Sequence, residues 1–310
     1  MSEENLPLPP HSLAYGEYFE SLKSEVARIY EVAKDARLMG FDPTTRVEIP
    51  PAHDVAARVE ATLEGPEGVA SLIRKLQKTK NREEVAFAVA KEIAEGKLGN
   101  YYNPALPSDK VDRRDKERAA EKAVRVALSI LTESITAAPL EGISEVRIRG
   151  SDDDLYLALY LAGPIRAAGG TETAMTALVA DYVRQVLKLP AFKASPEEVE
   201  RYLEEVELYA RNVHLQFPVH PEMVRYAASR LPIMLNGDPT EEFEVTGSRD
   251  LPRFGEDNRV RGGAVLVLND GVVGRATKLA KIVNSMKIKG WEWLDGLAAL
   301  ASKEGAEKEY

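Results

Sequence analysis

The sequence predicts a mostly helical α+β fold with a small β-sheet, and three observations carry that expectation. Apolar residues recur at helical spacing along most of the 310 residues. Between Glu145 and Ala162 the period changes from helical to alternating. Turn residues cluster where the period changes, at Pro139–Gly142 and at the Ser-Asp-Asp-Asp run that begins at Ser151. A hairpin over about 145–162 is expected to form the centre of the sheet, with about nine or ten helices around it.

In chain order, residues 1–13 are acidic and proline-rich and are expected to be disordered. Phe19, Leu22, Val26, Ile29, Ala33 and Ala36 follow at 3-4-3-4-3 spacing, an amphipathic helix ended by Gly40 and Pro43. "RVEIPP" reads as a short extended piece and His53 to Leu63 as a helix. Two more helices follow, one carrying Val69, Leu72, Ile73 and Leu76, the next Val85, Val89 and Ile93. Together 14–95 form the expected helical N-terminal subdomain. The loop 96–108, "GKLGNYYNPALPS", is the expected linker. Its Tyr101 and Tyr102 either stack on a base or pin the loop to its own domain.

Residues 109–290 form the expected α+β subdomain. Ser108 is placed to cap a long helix with the stripe Val124, Leu128, Leu131 and Ile135. "EVRIRG" sets Val146 and Ile148 on one face of a strand, Arg147 and Arg149 on the other. "LYLALYLA" reads as a strand buried on both faces. A helix is expected from Thr171 to Leu187. Ser195, Pro196 and Glu198 spell a capping box for the next, and a shorter helix follows Pro221. "IMLNGDPTEEFEV" and "GGAVLVLNDG" are expected as strands of a further small sheet, and "RATKLAKIVNSM" as a basic helix. Residues 291–310 open another apolar pattern, expected to start a further segment of a longer protein.

Composition narrows the chemistry. Cysteine is absent, which excludes disulfides, a thiol nucleophile and a cysteine zinc site. The four histidines, at 11, 53, 214 and 220, are scattered, which argues against a histidine metal site. No apolar run approaches the ~18 residues of a membrane helix, so no membrane partner and a cytoplasmic location are expected. Charged residues reach 29% with few Asn or Gln, which leans toward a thermophile. The net charge is −9, but Val245 to Gly290 carry nine Lys/Arg against four acids, +5 there and −14 elsewhere. That asymmetry hints at an anionic partner for one region.

Three motifs carry chemistry or mimic it. Gly163, Arg166, Gly169, Gly170 and Thr171 lie between the apolar strand and a helix, where backbone N–H groups favour an anion. The pattern is neither GxGxxG nor GxxxxGK[ST], and the plain alternative is a tight corner that needs glycine. Asp152–Asp154 could hold magnesium for phosphoryl transfer but read more simply as a solvated turn. Gly271-Val-Val-Gly274 has GxxG spacing, after an expected strand rather than a helix.

"YLAGPIRAAGGTETAMTALVADYVR", "RYLEEVELYARNVHLQFP", "LPIMLNGDPTEEFEVTGSRDLPR" and "NRVRGGAVLVLNDG" stand here in this order. They closely resemble the N-terminal region of the large subunit of archaeal family D DNA polymerase. "YFESLKSEVARIYEVAKDARLMGFDPTTRVEIP" resembles the start of that subunit, so the likeness runs from about Tyr15 to the end. The resemblance implies a two-subunit replicative polymerase whose small subunit is a 3′→5′ exonuclease. It places the catalytic aspartates far downstream, in a motif like Asn-x-Asp-Phe-Asp-Gly-Asp that these residues lack. This chain is then expected to be non-catalytic, serving subunit assembly and DNA binding. No cofactor is expected in it, and magnesium is expected only for the full polymerase. The implied partners are DNA, the catalytic remainder of the large subunit and the small exonuclease subunit, with dimerisation a further expectation. The residues expected at DNA are Arg249, Arg253, Arg259, Arg261, Arg275, Lys278 and Lys281, extended by Arg147 and Arg149. The bland alternative is that these arginines pair with acids. A nucleoside 2-deoxyribosyltransferase-like enzyme shares a similar "YLAGP" strand end, but it would need a doubly wound α/β fold. A pure helical scaffold is a third reading.

Overall fold

In a computed structural model the structure describes all residues except 1–9, 45–51, 53, 108–109, 134, 152–153 and 308–310. The chain divides into two units, Met1–Pro50 and Pro51–Tyr310. The first is one helix, α1 (Pro10–Leu38), ended by Gly40 at φ +89°. Residues 10–13, expected disordered, belong to this helix, and 1–9 lie outside the described residues. The predicted stripe is helical, but Leu22, Val26 and Ile29 are exposed on it.

The second unit is mostly helical with one three-stranded sheet, as expected. It begins with α2 (Val55–Ala61), α3 (Val69–Leu76) and α4 (Arg82–Ala94). These pack with α5 (Arg113–Thr132) and α6 (Ala137–Glu141). One continuous core runs from Ala56 through α4 and α5 to Leu297. The expected linker 96–108 is therefore a loop inside this unit. Its tyrosines pin it: the Tyr102 hydroxyl donates to the Ala94 carbonyl, and both rings are half-buried. The cap of α5 is Asp112, which accepts from Arg114 N at 2.8 Å. Ser108, expected in that role, lies outside the described residues.

The hairpin is β1 (Ile143–Arg149) and β2 (Tyr156–Leu161), antiparallel with Arg149 opposite Tyr156 and Val146 opposite Leu159. β3 (Met234–Gly237) pairs parallel to β2, so the order is β1-β2-β3 with β2 in the middle. A central strand covered on both faces has no polar side to show, which is why "LYLALYL" does not alternate. The segment expected to start a further sheet thus completes this one. "TEEFEV" contributes only an isolated bridge, Glu244 with Arg259.

Between β2 and β3 come a 3₁₀ turn (Gly163–Ala168), α7 (Gly170–Val186), α8 (Pro196–Asn212) and α9 (Pro221–Ala228). The capping box of α8 is formed as read: Ser195 Oγ accepts from Glu198 N at 3.3 Å, and Glu198 accepts from Ser195 N at 2.8 Å.

"GGAVLVLNDG" is not a strand. It forms α10 (Gly262–Leu266), which runs into a π-helical segment, Val267–Val273. A short apolar run buried on every side reads the same as a central strand or a core helix. Packing decides here. A Cβ on Gly263 would sit 2.5 Å from the Leu161 carbonyl carbon, so only glycine lets this helix lie on the end of β2. Buried Asp270 accepts from Gln216 N and Phe217 N, both at 3.0 Å, and Asn269 Nδ2 donates to Phe217 O at 2.8 Å. Gly271 and Gly274 therefore end a buried helix and do not form an exposed nucleic-acid loop.

α11 (Ala276–Met286) and α12 (Leu294–Glu307) complete the described chain. Twelve α-helices form among the described residues; the two short ones, α6 and α10, were not foreseen. Residues 291–310, expected to open a separate segment, lie in the same unit. Trp291 and Leu294 are fully buried in the common core. A three-stranded mixed sheet among helices also excludes the doubly wound fold that the deoxyribosyltransferase-like alternative requires.

Candidate nucleic-acid interface

The basic residues singled out by sequence fall into two groups, sorted by whether a carboxylate reaches them. Arg261 is 1% exposed and forms the centre of the first group. Its Nε donates to Glu205 Oε1 at 3.1 Å and its Nη1 to Asn236 Oδ1 at 2.8 Å. Arg253 donates to both carboxylate oxygens of Glu198 from its Nε and Nη2 and lies 4.6 Å from the Phe192 ring centroid. Both guanidiniums are thus already occupied by carboxylates, and that of Arg261 is closed off from solvent.

Arg147 is exposed, but Glu145 takes it bidentately at 2.7 and 2.9 Å, and Glu117 lies 3.5 Å away. The hydrogen bond from Arg147 holds the Glu145 carboxyl below the usual range. Arg259 is held the same way by Asp257 at 2.6 Å, and its hydrogen bond lowers the Asp257 pKa. Arg249 meets Glu244 at 3.5 Å, both largely exposed. The Arg147–Glu145 and Arg259–Asp257 pairs stay ionised at neutral pH. Exposed pairs of this kind contribute little to stability, because solvent screens them.

The second group is Arg275, Lys278 and Lys281, with Arg149 on the hairpin. All four are exposed and make no salt bridge among the described residues, although Arg149 lies within electrostatic range of Glu145. Arg275 precedes the first residue of α11, and Lys278 and Lys281 follow at intervals of three, on adjacent turns of one side. Alternation with Ala276, Leu279, Ala280 and Val283, all buried, fixes which side faces out.

The glycine loop joins this group. Gly169 takes φ +82°, and Gly170 starts α7. A Cβ on Gly170 would lie 2.4 Å from Arg275 Nε and 2.9 Å from its Nη2. The guanidinium thus rests on the backbone at the first turn of α7, a position only glycine leaves open. Thr171 and Glu172 complete that turn, and Glu172 already supplies a carboxylate to the positive helix end. Arg166 points elsewhere, to the Tyr209 hydroxyl at 3.1 Å and the His214 carbonyl at 3.4 Å. Gly163 and Arg166 therefore shape a corner, while Gly169–Thr171 seat a cation. Sequence reasoning had the loop and Arg275 as separate signals, with no pattern linking residues so far apart.

Asp154 is described, but Asp152 and Asp153 lie outside the described residues.

The family model described as DNA polymerase II large subunit DP2, N-terminal, matches residues 17–300. The chain belongs to this family. It is 46% identical over 295 residues to the DNA polymerase II large subunit of Methanothermobacter thermautotrophicus, covering 94% of this chain and 26% of that protein. It is 48% identical over 297 residues to the Pyrococcus horikoshii large subunit, covering 94% of this chain and 20% of that protein. Against the Pyrococcus abyssi subunit the identity is 49% over 282 residues, 90% of this chain and 18% of the other. The chain thus spans about a fifth to a quarter of the length of these polymerase subunits. The match agrees with the resemblance read from the motifs. No helix among the described residues is long and apolar enough to cross a membrane.

Proposed function

We propose that this chain is the non-catalytic, DNA-contacting and assembly region of an archaeal replicative DNA polymerase large subunit. Nucleotide incorporation and its magnesium belong to the remainder of that subunit. The observation that carries the DNA contact is the row Arg275, Lys278 and Lys281, unpaired and exposed beside the Gly169–Thr171 turn. Three cations on one helix side suit backbone phosphates, which fix register without reading sequence. The working partners are DNA, the catalytic remainder of the large subunit and the small exonuclease subunit, in the cytoplasm. The exposed Leu22, Val26 and Ile29 stripe of α1 favours pairing with a second helix, which supports dimerisation.

Anisotropy titration of a duplex at several salt concentrations tests the DNA contact. Changing Arg275, Lys278 and Lys281 together to alanine is expected to lower the log–log salt slope by roughly 2–3, at 0.7–0.9 per lost contact. Changing Arg249 and Arg259, both paired, is expected to leave the slope nearly unaltered. The reverse result would move the DNA surface to the 249–259 loop. Arg261 is unsuitable for such a test, because it is buried and paired with Glu205, so its replacement is expected to destabilise the core. Primer extension by the purified chain with magnesium and nucleotides is expected to be nil; extension above a mock purification would remove the non-catalytic assignment.

A further inference from the structure

Two buried guanidiniums share one carboxylate beside a cavity. Arg201 and Arg261 are both buried and share one carboxylate, Glu205, which is itself 0% exposed. Arg201 spends its remaining N–H groups on the carbonyls of Ser248, Asp257 and Arg259 and on Asn258. Arg261 does not: its Nη2 is buried without any hydrogen-bond partner. An unsatisfied buried donor on a charged group is costly, and two guanidiniums to one carboxylate leave a net positive charge.

Arg261 lines a cavity of about 220 Å³ between one face of the sheet and the long segment 238–261. Register sets that face: Arg149 stands opposite Tyr156, and Tyr160 opposite Asn236. Arg149, Tyr160 and Asn236 line the cavity as well. Arg149 is exposed and makes no salt bridge among the described residues, with Glu145 acting on it only at longer range. Segment 238–261 forms no helix or strand, and a connection of that length inside a compact unit is more often functional than idle.

We propose that this cavity binds a single phosphate-class oxyanion, held between Arg261 on its inner side and Arg149 at its mouth, with Asn236 beside them. The oxyanion supplies the acceptor that Arg261 Nη2 lacks and offsets the second buried guanidinium. Asp238, Glu256 and Asp257 also line the cavity, the first two exposed and Asp257 already paired with Arg259. They repel a run of phosphates such as a DNA backbone and leave room for one isolated group. The same chemistry is offered by free phosphate and by the phosphomonoester of a nucleotide. The site shares Arg149 with the candidate interface but none of the α11 row on which the DNA test is made, so its failure and that of the DNA contact are separable.

Calorimetric titration of the intact chain with inorganic phosphate, at ionic strength held constant with chloride, tests the proposal. Saturable binding is expected, weakened at least tenfold in Arg149→Gln, whose exposed position spares the fold. Arg261→Lys, checked for folding by circular dichroism, is expected to abolish it; if that variant does not fold, Arg149→Gln decides. A parallel titration with deoxyadenosine 5′-monophosphate assigns the source: tighter binding than phosphate marks a nucleotide, equal or weaker binding marks the free ion. Absence of saturable binding by either probe, or wild-type affinity in Arg149→Gln, overturns the site.

Discussion

Replacing Glu205 with alanine should cost about 3–5 kcal/mol, the range for breaking a buried ion pair by removing one partner. Glu205 accepts from Arg201 Nε at 2.5 Å and from Arg261 Nε at 3.1 and 3.2 Å. Its removal strands two guanidiniums, each at most 2% exposed in its side chain, with no replacement acceptor. Whole domains are stable by only about 5–15 kcal/mol, so the loss consumes a large share. Glu205→Gln keeps an acceptor in place and should cost less. Urea unfolding followed by circular dichroism reads both variants. A loss under about 1 kcal/mol for Glu205→Ala would mean that water reaches the two arginines and that the buried-charge argument fails.

The second large effect is expected at Trp291. Trp291→Ala should destabilise the chain by about 3–5 kcal/mol, as truncation of a buried large aromatic does. Trp291 is 0% exposed, stacks on Trp293 at 5.2 Å and donates from Nε1 to Asp181 Oδ2 at 2.8 Å. Asp181 is also fully buried and accepts from Arg184 at 2.6 Å and Gln185 at 2.7 Å. The alanine variant therefore opens a cavity and strips one of three donors from a buried carboxylate. Trp291→Phe retains most of the ring and loses the donor, so roughly 1–3 kcal/mol is expected. If Trp291→Ala unfolds at the wild-type urea concentration, residues 291–310 are an appendage after all, as the sequence pattern alone suggests.

The chain's local signals were legible wherever neighbours in sequence decide the structure. The continuous apolar run of β2, the Ser195–Glu198 capping box and the stripe of α11 each place an element correctly, because period and cap chemistry act within a few residues. The long motifs from Tyr160 to Gly271 were enough to indicate the family. Tertiary structure decided the rest. Residues 262–271 read as a strand and fold as a helix that runs on to Val273, because a short apolar run has no period to distinguish the two, and close packing on the end of β2 chooses. The same holds for charge. Nine cations look alike in the sequence, but Glu198 reaches Arg253 from 55 residues away, and Glu205 reaches Arg261 from 56. Trp291 meets Asp181 across 110 residues. A residue's type states what it can bind; only the fold settles whether a distant carboxylate has already bound it, and so which arginines and lysines remain for phosphate.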